Sequence, residues 1–141
     1  VSPNSRNVIA GNSLFTIDIR SPDINKLEKM ENELRDMAID ICNKYKVKFE
    51  MDQIGGFDPV AFDKECLDNI RNSADKFGYS HKDIVSGAGH DACWINTVAP
   101  SAMVMCPCVD GLSHNEAEEI KPEWASSSTN VMLHAAIASA T

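Results

Sequence analysis

No apolar run in this 141-residue chain approaches the roughly 20 residues needed to span a bilayer, so no membrane partner is expected. A basic stripe is missing too. The formal net charge is −8, and without clustered Lys and Arg nothing neutralises phosphates, which argues against a nucleic-acid partner. There is no cysteine framework. Five cysteines are an odd number without regular spacing, which favours a reduced, cytoplasmic compartment. Internal repeats and low-complexity segments are likewise absent, and no signal peptide is expected. Val1 already reads as the middle of a fold, so a truncated or processed fragment is expected.

Apolar residues make up 43% and charged residues 24%, a balance that permits a packed core. Cys42, Cys66 and Cys93 fall among apolar positions of predicted helices and read as small core residues. Cys106-Pro107-Cys108 is the one close pair. A single C-x-C is a weak metal signal, and packing at a strand end is the preferred reading.

Ala10-Gly11-Asn12 signals a turn. Leu14 to Arg20 then alternates, with Phe15, Ile17 and Ile19 on one face and Arg20 on the more polar one, which predicts a half-buried strand. Ser21-Pro22-Asp23 reads as a helix start. Ile24, Leu27, Met30, Leu34, Met37 and Ile41 recur at helical spacing up to about Lys44. Val47, Phe49 and Met51 predict a second strand. Gly55-Gly56-Phe57-Asp58-Pro59 breaks the pattern, and a domain boundary is placed there, giving domains 1–57 and 58–141.

In the second domain a helix is expected from Asp63 to Phe77, with Leu67, Ile70, Ala74 and Phe77 as its apolar face and Gly78 as its stop. Short strands are expected at Ile84-Val85 and, buried, at Ser101 to Cys106. A short helix is expected between His90 and Val98, and a last one from Pro122 to about Ala140. The fold class is α/β, an α+β half followed by an α/β layer with a partly parallel sheet. Ligands in such sheets gather beyond the carboxyl ends of strands, where two polar loops fall: Ser86-Gly87-Ala88-Gly89-His90-Asp91 and Asp110-Gly111-Leu112-Ser113-His114-Asn115.

His114 lies between small polar residues after a glycine turn, and an imidazole there either binds a zinc-like metal or caps backbone groups. His90-Asp91 is either a histidine with an orienting carboxylate or a helix N-terminus carrying an acid. Arg20 with Asn7 fits a substrate carboxylate, since a guanidinium offers a planar fork. The competing reading is a surface arginine paired with Asp18 or Asp23. His81 and His134 read as structural or solvated, and Glu116 to Glu119 as a solvated helix approach.

Four stretches in this order, Asn7-Val8-Ile9-Ala10-Gly11, Phe15-Thr16-Ile17-Asp18-Ile19-Arg20, Ser86-Gly87-Ala88-Gly89-His90-Asp91-Ala92 and Asp110-Gly111-Leu112-Ser113-His114-Asn115-Glu116-Ala117-Glu118, resemble one family. It is the amidase/hydantoinase/carbamoylase branch of the M20 metallopeptidase-like proteins, which includes N-carbamoyl-L-amino-acid hydrolases, β-ureidopropionases and allantoate amidohydrolases. The resemblance covers essentially the whole chain and corresponds to the family's C-terminal third.

The resemblance implies a ferredoxin-like lid half, strand-helix-strand, over 1–57, carrying a homodimer contact. It implies the end of a zinc-exopeptidase-like catalytic domain over 58–141. It also implies two divalent metal ions (Zn, Mn, Co or Ni) and hydrolysis of the carbamoyl or ureido C–N bond of N-carbamoyl amino acids or related linear amides. The last metal-ligand histidine falls on His114. The substrate carboxylate falls to Arg20 and Asn7, and the substrate's other end to Gly89 and His90. No catalytic residue falls in this chain; the remaining ligands and the catalytic glutamate belong to a preceding segment. Glu116 and Ala10 stand where the family usually has proline. The alternatives are a non-catalytic dimerisation or ligand-binding fragment, and a peptidase-type M20 member.

Overall fold

Four α-helices account for nearly all the regular structure in a computed structural model that describes residues 1–140. The chain divides into two compact units, Val1–Pro59 and Val60–Thr141.

The first unit is built on α1 (Ile24–Tyr45). Its cap is the Asp23 carboxylate, which accepts from the backbone N–H groups of Asn25 and Lys26 at 2.9 and 3.3 Å. Ser21, expected to cap, instead accepts the Asp23 N–H at 3.2 Å. A carboxylate near the helix start also complements the macrodipole. The helix ends at Lys46, whose left-handed backbone (φ 56°) returns its N–H to Asn43 and Cys42 carbonyls. The predicted apolar stripe is present, but α1 has no buried residue. Met37 is 61% exposed, and the pairs Glu31–Arg35 and Lys29–Glu33 decorate the helix.

The second unit holds α2 (Lys64–Lys76), the short α3 (Asp91–Ile95) and α4 (Pro122–Ser139). Asp63 caps α2 through the Cys66 N–H at 2.9 Å, and Gly78, at φ 68°, turns the chain out as only glycine does cheaply. Proline opens α4, where its missing N–H costs nothing. Helices α2 and α4 pack on each other. Their contact buries Ala74, Val131 and Ala135, with Ser73 closing its hydroxyl onto the Asn69 carbonyl at 2.7 Å. Phe77 stacks on Tyr79 and meets the His134 ring edge-on, with centroids 4.7 Å apart in the latter pair.

The predicted strands do not form among the described residues. Leu14–Arg20, Val47–Met51, Ile84-Val85 and Ser101–Cys106 have no ladder partner, and the β-type pairing is one bridge, Ser2 to Asn12. A strand exists only where a neighbour takes its N–H and C=O groups, and no segment here supplies that neighbour. Phe15 and Val85 are 75% and 72% exposed, and Ser101–Cys106, expected to be buried, is only partly so, with Met105 48% exposed. Among the described residues the fully buried apolar core is Ala74, Val131 and Ala135, between α2 and α4. Cys42, Cys66 and Cys93 are accordingly half-buried free thiols, as are Cys106 and Cys108. No helix among the described residues is long and apolar enough to cross a membrane.

Candidate functional site

The His114 loop is set up by a 3-10 turn at Val109–Gly111. Within six residues Asp110 (φ 55°), Gly111 (φ 68°) and His114 (φ 55°) enter the left-handed region. For non-glycine residues that conformation persists only where surrounding bonds hold it. Here the base of the loop is closed by the Val109 N–H donating to the Glu119 carbonyl at 2.7 Å. Inside it, Asn115 accepts the Glu118 N–H on its backbone carbonyl (3.0 Å) and the Ala117 N–H on its side chain (2.9 Å). The Glu118 carboxylate reaches back to the N–H of His114 at 2.8 Å. Its other oxygen accepts from the Cys108 thiol at 3.7 Å. Burial, then the nearby Glu118 charge, pushes that thiol's pKa up, so Cys108 stays protonated. His114 itself is exposed.

The second loop precedes α3. His90 is half-buried, with extended backbone, and ends the glycine stretch. Its Nε2 lies 2.6 Å from the Ser86 hydroxyl, which also accepts the Ala88 N–H at 3.2 Å. Gly89 is exposed. Asp91 sits in the first turn of α3, so the acid complements a helix N-terminus while a hydroxyl, not Asp91, orients the imidazole.

In the first unit, Arg20 closes on Asp18. Its Nε donates to both carboxylate oxygens, at 2.9 and 3.1 Å, and a terminal nitrogen donates to one of them. Both side chains are largely exposed. The hydrogen bonds from Arg20 hold the Asp18 carboxyl below the usual range. Asn7, also exposed, accepts from the Ser5 hydroxyl at 2.9 Å. Each candidate in this unit thus leans on a residue two positions away.

Two features had no weight in the sequence reading. Glu118 belongs to a run expected to be solvated, and its bond to His114 depends on a turn that periodicity does not reveal. Arg71 is held by Asp83 (3.1 and 2.7 Å) and Asp68. Asp83 is twelve residues away, beyond any local spacing rule. Elsewhere, His81 meets Asp75 at 3.0 Å, and an open groove of about 290 Å³ is lined by Asn69, Lys76 and His134.

No group of three or more His, Cys, Asp or Glu side chains comes together among the described residues. A catalytic zinc normally takes three protein ligands. The exposed His114 imidazole therefore does not make a metal site by itself.

Comparison with known proteins sharpens this picture. The profile of peptidase family M20/M25/M40 matches residues 5–138. An N-carbamoyl-L-amino-acid amidohydrolase of Rhizobium meliloti is 52% identical over 139 residues, 99% of this chain and 33% of that protein. An allantoate amidohydrolase of Escherichia coli (strain K12) is 31% identical over 116 residues, 82% of this chain and 28% of that protein. A crystal structure of an amidase of the hydantoinase/carbamoylase family from Burkholderia multivorans superposes with a TM-score of 0.90 at 51% identity, over 96% of this chain and 33% of that one. The chain spans about a third of the length of these relatives.

Proposed function

Because the chain belongs to peptidase family M20/M25/M40, we propose that it serves a metal-dependent amidohydrolase. The reaction is cleavage of the carbamoyl or ureido C–N bond of an N-carbamoyl amino acid or related linear amide. The observation that carries this is the 52% identity, across 99% of the chain, to an N-carbamoyl-L-amino-acid amidohydrolase.

The residue roles follow from the chemistry at each position. His114 offers a single imidazole ligand, from a loop whose backbone is already pinned. When bound, a pair of divalent ions (Zn, Mn, Co or Ni) supplies Lewis acidity and a water ionised near neutral pH. Further ligands and the proton-shuttling glutamate come from the remaining two thirds of the protein. His90, braced by Ser86, points a hydrogen-bonding ring at the carbamoyl end, and Gly89 lets the backbone come close. Arg20, with Asn7, clamps the substrate carboxylate. In this chain the fork is paired with Asp18, as the competing reading expects, so the clamp requires Arg20 to exchange Asp18 for the substrate carboxylate.

In this reading residues 1–57 form half of a ferredoxin-like lid with a homodimer contact, and 58–141 form part of a zinc-exopeptidase-like catalytic domain in the cytoplasm. The exposed apolar faces at Phe15, Val47 and Val85 then lie against strands supplied by the rest of the protein.

The test uses the protein at the full length of its relatives, stripped with a chelator and resupplied with zinc, manganese, cobalt or nickel. Turnover of N-carbamoyl amino acids, with little on dipeptides, is expected. The isolated 141-residue chain should show none above a metal-only blank. Preference for dipeptides would favour a peptidase, and no turnover with any metal would favour a non-catalytic binding role.

A further inference from the structure

Glu118 stands out because one residue ties together three parts of the His114 loop. One carboxylate oxygen accepts the His114 N–H at 2.8 Å, and the other accepts the Cys108 thiol at 3.7 Å. Its own N–H donates to the Asn115 carbonyl at 3.0 Å, so its backbone is anchored on the far side of the histidine. The residue it grips, His114, is one of three non-glycine residues with positive φ. A left-handed histidine relaxes towards ordinary backbone unless its neighbours hold it. That relaxation would redirect the imidazole.

We propose that Glu118 is a positioning residue, whose reach to the His114 N–H fixes the direction in which the imidazole presents itself to a divalent metal. Its action runs through the backbone of the histidine, not through a bond to the ring. What matters is therefore the length of the side chain and an acceptor at its tip, more than its charge. This rests on the reading of His114 as a metal ligand.

Two conservative variants separate length from charge. Glu118→Asp keeps the charge but is one methylene short of the N–H. Glu118→Gln keeps the length and a carbonyl acceptor but loses the charge. In the full-length protein, zinc affinity is measured by competition with a chromophoric chelator, with His114→Ala in parallel. Removing an outer partner of a metal ligand typically weakens binding about 10–100-fold. A loss of that size is expected for Glu118→Asp, at the equivalent of zinc that His114→Ala loses altogether. Glu118→Gln should stay close to wild type, and the metal-free circular dichroism of all three should be unchanged. Wild-type affinity in Glu118→Asp, or an equal loss in Glu118→Gln, would overturn the proposal while leaving His114 as a ligand. Full zinc content in His114→Ala would instead overturn the ligand reading beneath it.

Discussion

The two units hold their candidate residues in different ways. In Val1–Pro59, Asn7 and Arg20 lean on Ser5 and Asp18, each two positions away, and all four side chains are exposed. In Val60–Thr141, His114 is pinned by Glu118 across a loop that is closed at its base, and His90 by Ser86 across a glycine turn. The second unit also has a small packed centre between α2 and α4, whereas α1 has no fully buried residue. In the proposed role, His114 must be placed to within about 0.5 Å, which makes the hydrogen bonds that pin its loop matter. In the proposed clamp role, Arg20 on an exposed segment takes its final geometry from what later covers it. Exposed ion pairs such as Arg20–Asp18 contribute little to stability.

The largest expected effect breaks the second unit's role outright. His114→Ala in the full-length protein should lose one metal equivalent. Its turnover should fall by more than the roughly 10–100-fold typical of losing a mere outer partner, with the fold intact by circular dichroism. Normal metal content and turnover would make His114 a loop-capping residue.

A smaller effect tests the packing contrast, read by urea denaturation of the isolated chain. Val131→Ala deletes buried methyl groups between α2 and α4 and should cost about 1–2 kcal/mol. Met37→Ala, 61% exposed on α1, should stay within about 0.5 kcal/mol of wild type. Equal losses would show that α1 is packed in solution.

The smallest effect is in acid. Hydrogen bonds from Arg71 lower the Asp83 carboxyl, those from Lys64 and then Arg71 lower Asp68, and the Cys66 backbone N–H lowers Asp63. A lowered folded-state pKa contributes stability above the unfolded value, near 3.8. That contribution disappears as pH falls further through the folded value. The second unit carries three such groups and the first unit one, Asp18. Trp94 and Trp124 both lie in the second unit, so their fluorescence follows its loss of structure below about pH 4. Asp83→Asn should narrow the stability difference between neutral and acid conditions.

Helices were legible in the sequence because their signals are local. Asp63, Gly78 and Pro122 mark ends within a residue or two, and periodicity is written into consecutive positions. Only at α1 did the cap shift, from Ser21 to Asp23. The strands were not legible in the same sense. Alternation at Leu14–Arg20 states that a face is apolar, but a strand also needs a neighbour, and none lies within these residues. His90 and His114 could be selected from their loops, yet what holds them could not. The Ser86 hydroxyl and the Glu118 carboxylate are each four positions away across non-helical turns, where no spacing rule applies. Family resemblance assigned Arg20 its clamp; the residues alone favoured a surface arginine paired with Asp18 or Asp23, and Asp18 is what Arg20 grips in this chain.

The division of labour between the units is tested most directly by kcat/KM for an N-carbamoyl amino acid and for its decarboxylated analogue, in full-length wild type and Arg20→Ala. Truncating one partner of a shielded, hydrogen-bonded charge pair costs on the order of 100-fold or more. A loss of that size is expected on the carboxylate-bearing substrate alone, and Arg20→Lys should recover little of it, since a point charge lacks the planar fork. Equal losses on both substrates, or on neither, would contradict the assignment of the carboxylate to the first unit.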